Sequence, residues 1–153
     1  MDQAELIAVL RDHQPTAERP ANILRTLMAI EERFGHVPAA AIAPVARALG
    51  VPEADVAGVV SYYPDLHTKP HGRHILRLCL GEACVANGSS RLLADLKPRL
   101  RIGLGETTAD GRLTIERVYC LGNCAVGPTV MVDDQLYGRV TDAQLASLIE
   151  SFR

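Results

Sequence analysis

Residues 74–84 read "HILRLCLGEAC": a short, mostly apolar run that ends in a thiol, a Leu-Gly turn, and a second thiol five positions after the first. The run predicts a strand, His74 to Cys79. The same pattern returns at 112–124, "RLTIERVYCLGNC", as a second strand finishing in a cysteine turn. Between the two, Ser89 or Ser90 is placed to cap a helix carrying Leu92, Leu93 and Leu96, which Pro98 should end. A polar loop, "IGLGETTADG", follows that helix. Downstream, "TVMVDDQLYGRV" (129–140) reads as a hairpin turning at Asp133-Asp134. Thr141 and Gln144 then form a capping box for a helix bearing Leu145, Leu148, Ile149 and Phe152. The order from residue 71 onward is therefore β-α-β-β-α.

Upstream the period is helical and cut by prolines and glycines. Leu6, Ile7 and Leu10 form one short apolar face. Ile23, Leu27, Ile30 and Phe34 form a longer one, with Gly35 where a helix should end. Pro38 and Gly50 bracket a third helix with Ile42, Val45 and Leu49; Pro52 and Pro64 bracket a fourth with Val56, Val59, Val60 and Tyr63. Pro44 conflicts with the third, which must either kink there or start later. The expected fold is thus α/β (α+β), with a small helical bundle over 1–70 and a sheet-containing domain over 71–153.

With 153 residues, 48% of them hydrophobic, the chain is able to bury a core. Its 16 basic and 18 acidic residues are interspersed and give a net charge of −2. No surface for a polyanion is indicated, so nucleic acid is not an expected partner. The N-terminus has acidic residues where a secretory leader needs positive charge, and no apolar run approaches the roughly 18 residues of a membrane span. A cytoplasmic protein without direct membrane insertion is expected. In that compartment thiols stay reduced, and four cysteines point to a metal or redox site before a disulfide framework.

The cysteines form one pair with four intervening residues, Cys79 and Cys84, and one with three, Cys120 and Cys124; 35 residues separate the pairs. Two bidentate turns facing each other suit a two-iron cluster in which each iron takes two thiolates and two bridging sulfides. On this inference Cys79 and Cys84 clamp one iron and Cys120 and Cys124 the other. Gly81 and Gly122 lie inside the turns, where the lack of a β-carbon lets backbone N–H groups approach the cluster. Structural zinc also takes four thiolates, and the spacing permits it. Free buried or redox thiols are a third reading, weakened by the absence of Cys-x-x-Cys. Arg77 and Arg117 read as the solvated face of their strands, and Tyr62-Tyr63 as packing for the fourth helix. His67, His71 and His74 lie in a broken polar connector rather than in a ligand array. Gly103-Leu104-Gly105 lacks the strand and helix that a nucleotide site needs. With no substrate pocket in view, an electron carrier is favoured over the competing class, a non-redox adaptor stapled by zinc.

"CLGEACVANGSSRLL", "TTADGRLTIERVYCLGNCAVGPTVMVDDQLYGRVT" and the upstream "SYYPDLHTKPHGRH" together resemble the small iron–sulfur subunit of NADH-dehydrogenase modules, over about residues 20–153. That family includes subunits of respiratory complex I, of NAD-reducing hydrogenase diaphorases and of NAD-dependent molybdenum formate dehydrogenases. The resemblance implies a thioredoxin-like ferredoxin domain holding one [2Fe–2S] cluster on the four cysteines. It also implies a preceding helical domain that packs on a flavin- and NADH-binding subunit. Glu82-Ala83 and "YCLGNCAVGP" are most similar to the formate dehydrogenase gamma subunit, which would add a molybdenum-containing catalytic subunit as partner and make this chain a non-catalytic electron-transfer subunit. One departure is Ser61-Tyr62-Tyr63 followed by Pro64 and Leu66, where many relatives have Ser-Phe-Tyr and then Phe. Gly127-Pro128 resembles the place where thioredoxin-like folds set a cis-proline, so a cis bond is expected there.

Overall fold

A computed structural model describes residues 2–152. The chain divides into two compact units, one up to Pro70 and the other from His71.

The first unit is helical. Helix α1 (Gln3–Asp12) is capped by the Asp2 carboxylate on the Ala4 N–H. Helix α2 (Ile23–Phe34) is capped by the Asn22 side-chain oxygen on the Arg25 N–H and ends at left-handed Gly35. A 3-10 turn (Ala39–Ala41) leads into α3 (Ile42–Leu49), which ends at left-handed Gly50, and α4 (Glu53–Tyr62) follows Pro52. The conflict at Pro44 resolves as a late start. Pro44 is the third residue of α3, in the first turn, where an N–H has no intrahelical partner to lose. Leu6, Leu10, Leu27, Ile30, Val37, Val45, Leu49, Val56, Val60 and Leu66 make the core of this unit. Two apolar expectations are corrected. Ile7 is 46% exposed, because α1 buries only the stripe through Leu6 and Leu10. Tyr62 is 79% and Tyr63 38% exposed, their rings meeting edge to face at 5.1 Å instead of packing inward.

The second unit is a four-stranded sheet with helices. Strand β1 (His74–Cys79) is followed by a short helix α5 (Glu82–Ala86), helix α6 (Ser89–Leu100), strand β2 (Leu113–Val118), the hairpin β3 (Val130–Val132) and β4 (Gln135–Tyr137), and helix α7 (Asp142–Ser151). The spatial order is β2-β1-β3-β4, with β1 parallel to β2 and the other pairings antiparallel. The expected β-α-β-β-α order is present, with α5 as an addition. Leu76 and Leu78 of β1 join Leu113 and Ile115 of β2 and Val130 and Val132 of β3 in the core, against Leu92 and Leu96 of α6 and Leu145 and Ile149 of α7. Arg77, on the alternate face, is registered with Glu116 and bonds its carboxylate at 3.0 Å, both side chains largely buried.

Three local expectations differ from the structure. Helix α6 is preceded by left-handed Gly88 and takes no side-chain cap; Ser89 is itself the first helical residue and fully buried. Pro98 lies inside α6, which continues to Leu100 and ends at left-handed Arg101. Near a C-terminus, losing one helical bond is tolerable when Leu96 and Leu100 pack on the core. Strand β2 stops at Val118, two residues before its cysteine. At the other end of the domain, the Thr141–Gln144 capping box forms as the sequence predicts. Among the described residues no helix is long and apolar enough to cross a membrane.

Candidate metal centre

Parallel neighbours deliver their C-terminal ends to the same edge of a sheet, and this brings the two cysteine loops together. Cys79, the last residue of β1, is registered with Val118, the last of β2, and the Leu80 N–H continues the pairing onto the Val118 carbonyl at 2.7 Å. Antiparallel β3 enters the sheet at that edge. Its lead-in residue Thr129 accepts the Cys79 N–H at 3.1 Å, and the Gly127–Pro128 bond just before it is cis, as the sequence predicts. Three chain segments therefore converge: the β1–α5 turn with Cys79 and Cys84, the loop after β2 with Cys120 and Cys124, and the Gly127–Thr129 approach to β3.

The loops are fitted to each other by missing side-chain volume. A β-carbon at Gly81 would stand 2.4 Å from the Tyr119 carbonyl oxygen, so the first turn lies directly on the backbone that leads to Cys120. One at Gly127 would stand 3.2 Å from the Cys84 sulfur. Gly122 contributes otherwise: its N–H donates to the Cys120 sulfur at 3.2 Å. Within the second loop the Cys120 and Cys124 sulfurs are 3.7 Å apart. Cys84 sits on α5, an element hidden from sequence reading by its five-residue length.

All four thiols are free of disulfides, and they differ in exposure. Cys79 and Cys84 are each 2% exposed, whereas Cys120 and Cys124 are open to solvent. Burial pushes the Cys84 thiol up, the hydrogen bond from Cys79 adds to this, and the Thr129 backbone and hydroxyl pull it back. Cys124 is pushed up chiefly by its hydrogen bond and charge proximity to Cys120, with smaller contributions from burial, Cys84 and Cys79. The thiols crowd one another as anions, a cost that a cationic centre removes on binding. The donor set fits two metals better than one. A single tetrahedral zinc, with bonds of about 2.3 Å, needs all four sulfurs within about 3.8 Å of one another. Here, among the described residues, no three cysteine sulfurs gather within 4.8 Å of one another, and the Cys120 and Cys124 sulfurs form one close pair.

Other residues prominent in the sequence lie away from these loops or are engaged. Arg77 pairs with Glu116, and Arg117 lies over the Tyr119 ring at 5.7 Å. His67 Nδ1 is 2.6 Å from a Glu31 carboxylate oxygen, His71 Nδ1 is 2.7 Å from the Gly72 carbonyl, and His74 Nδ1 is 2.9 Å from an Asp133 carboxylate oxygen. The Gly103 N–H is tied to the Glu106 carboxylate at 2.6 Å. Sequence reasoning missed Thr129; a hydroxyl directly after Gly-Pro at a strand entrance is its only signal.

The sequence profile of the thioredoxin-like [2Fe-2S] ferredoxins matches residues 7–153. An NADH-quinone oxidoreductase subunit of Pseudomonas aeruginosa is 39% identical over 140 residues, covering 92% of this chain and 84% of the relative. The subunit of the same name from Escherichia coli K12 is 33% identical over 153 residues, covering 100% and 92%. Among solved structures, the air-oxidized NAD+-reducing [NiFe]-hydrogenase superposes with a TM-score of 0.70 at 23% identity, over 85% of this chain and 22% of that one, a likeness of fold alone. With the profile spanning nearly the whole length and the two cysteine pairs gathered at one sheet edge, the chain belongs to the thioredoxin-like [2Fe–2S] ferredoxin family, whose cofactor is one [2Fe–2S] cluster.

Proposed function

We propose that Cys79, Cys84, Cys120 and Cys124 hold this cluster, and that the chain is the electron-transfer subunit of an NAD-linked oxidoreductase. The observation that carries the reading is the division of four free thiols into two pairs at one edge of the sheet. When bound, the cluster takes up and returns one electron at a time. The residues of the chain supply the rest. The Cys79–Cys84 turn anchors the site in the protein interior, and the Cys120–Cys124 loop presents it at the surface, where a partner can approach. The Gly122 N–H aims a dipole at Cys120 that favours the more negative, reduced form. The loops offer thiols and backbone donors, the equipment of a subunit that carries electrons for chemistry done on another chain.

The partner we propose is a flavin- and NADH-binding subunit, in a cytoplasmic setting that keeps the thiols reduced. For the parent complex we propose a formate dehydrogenase with a molybdenum-containing catalytic subunit, on the strength of Glu82-Ala83 and "YCLGNCAVGP". Respiratory complex I is the second reading, favoured by the identity to NADH-quinone oxidoreductase subunits. The proteins that co-purify decide between them: molybdenum with formate-dependent NAD reduction supports the first, quinone reduction by NADH the second.

Metal analysis and EPR of anaerobically purified protein test the cofactor assignment. About two irons and two acid-labile sulfides per chain, with one S = 1/2 signal after dithionite reduction, are expected. Stoichiometric zinc in a colourless, EPR-silent protein would overturn it. Each of Cys79→Ser and Cys124→Ser should lower the iron content and alter the visible spectrum, and a variant indistinguishable from wild type would remove that residue from the ligand set.

A further inference from the structure

The sheet of the second unit is closed along one edge and open along the other. At β2 the segment 105–108 lies alongside: the Ile115 carbonyl takes the Gly105 N–H at 2.7 Å, the Ile115 N–H goes to the Glu106 carbonyl at 3.1 Å, and Thr107 bridges Thr114. Among the described residues nothing pairs with the outer side of β4. A two-residue turn makes Val132 and Gln135 a hydrogen-bonded pair, and such pairs alternate along an antiparallel ladder. Leu136 therefore turns its N–H and C=O away from β3, toward the open side, and the residue is 50% exposed. Along that side, between β4 and α7, runs a groove of about 640 Å³ walled by Leu136, Tyr137, Val140, Ala143 and Leu148. None of its lining residues is charged, although 22% of the chain is. Open edge strands are ordinarily defended by Lys, Pro or a bulge, and the sequence of β4, Gln-Leu-Tyr, holds neither residue. We propose that β4 pairs with β4 of a second copy of this chain, antiparallel and two-fold symmetric about Leu136, so that the two sheets run on as one and the groove is covered.

The residues flanking Leu136, "DDQLYGR" at 133–139, decide what covers the edge. Under a two-fold axis at Leu136, Gln135 lies opposite the partner's Tyr137 and Asp134 opposite the partner's Gly138. The N–H and C=O of Leu136 then bond the C=O and N–H of the same residue in the partner, the reciprocal exchange of an antiparallel hydrogen-bonded pair. Asp134 also comes beside the partner's Arg139, so each end of the pairing sets a carboxylate against a guanidinium. Both residues are exposed, and neither is ion-paired among the described residues. The Arg139 N–H is bonded to the Val126 carbonyl at 2.6 Å, which fixes the root of that side chain. Pairing the same strands in parallel register would set Asp134 beside Asp134 and Arg139 beside Arg139, and like charges oppose it. Within the strand the Tyr137 hydroxyl donates to the Gln135 side-chain oxygen at 2.8 Å. Each hydroxyl keeps an amide within reach when Tyr137 faces the partner's Gln135. Two backbone bonds between three-residue strands are few, so the complex is weak and reversible, at the small end of interface sizes.

No cysteine lines the groove, so the outcome is separate from the assignment of the cluster. Sedimentation equilibrium of the full chain, under reducing conditions that exclude dimers joined through thiols, tests the proposal. Expected is a mass that climbs with concentration from 16.5 kDa toward twice that value. A mass that stays at 16.5 kDa up to about 1 mM overturns it. Growth beyond twice that mass means an open, head-to-tail contact and overturns it too. Asp134→Arg and Arg139→Asp each place like charges at both ends of the pairing, and each should weaken self-association about tenfold. Mixed in equal amounts, the two variants should associate with each other as wild type does with itself, because every end then joins opposite charges. A mixture that stays monomeric, or self-association untouched by either single change, overturns the two-fold register. Leu136→Pro deletes the outward N–H from a position where an edge strand tolerates proline, and it should abolish the dimer. A folded Leu136→Pro protein that dimerises like wild type overturns the strand pairing. If that variant does not fold, the charge exchanges at the exposed positions 134 and 139 decide the matter on their own.

Discussion

Gly72 lies buried just before β1, where the backbone of β2 passes close by. A β-carbon there would stand 2.8 Å from the Leu113 nitrogen and 2.9 Å from its carbonyl carbon, and the Gly72 N–H donates to the buried Thr114 hydroxyl at 2.7 Å. The obstruction is backbone and no rotamer can relieve it, so the strand entrance has to move. Gly72→Ala is expected to cost about 1–3 kcal/mol, the range for overpacking a fitted interior, read as a lower denaturation midpoint. A second residue gives a pH dependence. The Thr108 hydroxyl, then the Arg112 N–H, hold the Asp110 carboxyl below its ordinary value. A carboxyl depressed by folding stabilises the folded state above the unfolded carboxylate range, near about pH 4, and that contribution disappears as pH falls through the folded value. Asp110→Asn should therefore melt below wild type at about pH 6, with the gap closing as both approach about pH 3. A gap independent of pH would mean that the side chain acts through shape alone.

Helix ends show what was legible in the sequence and what was not. Gly35 and Gly50 stop α2 and α3, and Thr141 with Gln144 starts α7, because each of these residues acts on backbone groups within a turn of itself. Thr141→Ala removes the acceptor for the Gln144 N–H and should lower stability by about 1 kcal/mol in denaturant melts. Serine at 141 should restore most of it. Pro98 and the paired Ser89-Ser90 misled for the opposite reason: whether a proline is tolerated inside α6, or a serine is buried as its first residue, depends on Leu92 and Leu96 being held by a core made of distant strands. The exposure of Tyr62 and Tyr63 has the same origin, since α4 turns Val56 and Val60 inward and leaves its last residue, Tyr62, and the C-cap, Tyr63, outside. At the metal centre, the cysteine spacing and the two turn glycines were readable. The close approach of Gly81 to Tyr119 and the placement of Thr129 were not, because both follow from β1 and β2 pairing in parallel with β3 alongside, a matter of sheet order.

The molecule has two separate cores, and their memberships do not overlap. Ile30 and Leu27 belong to the helical one; Leu78 belongs to the other and immediately precedes Cys79 in β1. Truncating a fully buried Ile or Leu to Ala costs about 2–5 kcal/mol wherever it is made. The consequences for the metal centre should nonetheless differ. All four cysteines and the strands that aim them lie in the second unit, so Ile30→Ala is expected to lower stability while leaving the EPR line shape and midpoint potential at wild-type values. Leu78→Ala loosens the end of β1 that carries Cys79, together with its register against Val130 of β3, and it should shorten the time for which iron is retained against a chelator. Because folding and metal retention are linked, a weaker hold on iron means that the second variant should lose less stability on iron removal than wild type loses. Equal effects of the two truncations on chelator-driven iron loss would show that the centre senses global stability rather than the packing beneath its own strand.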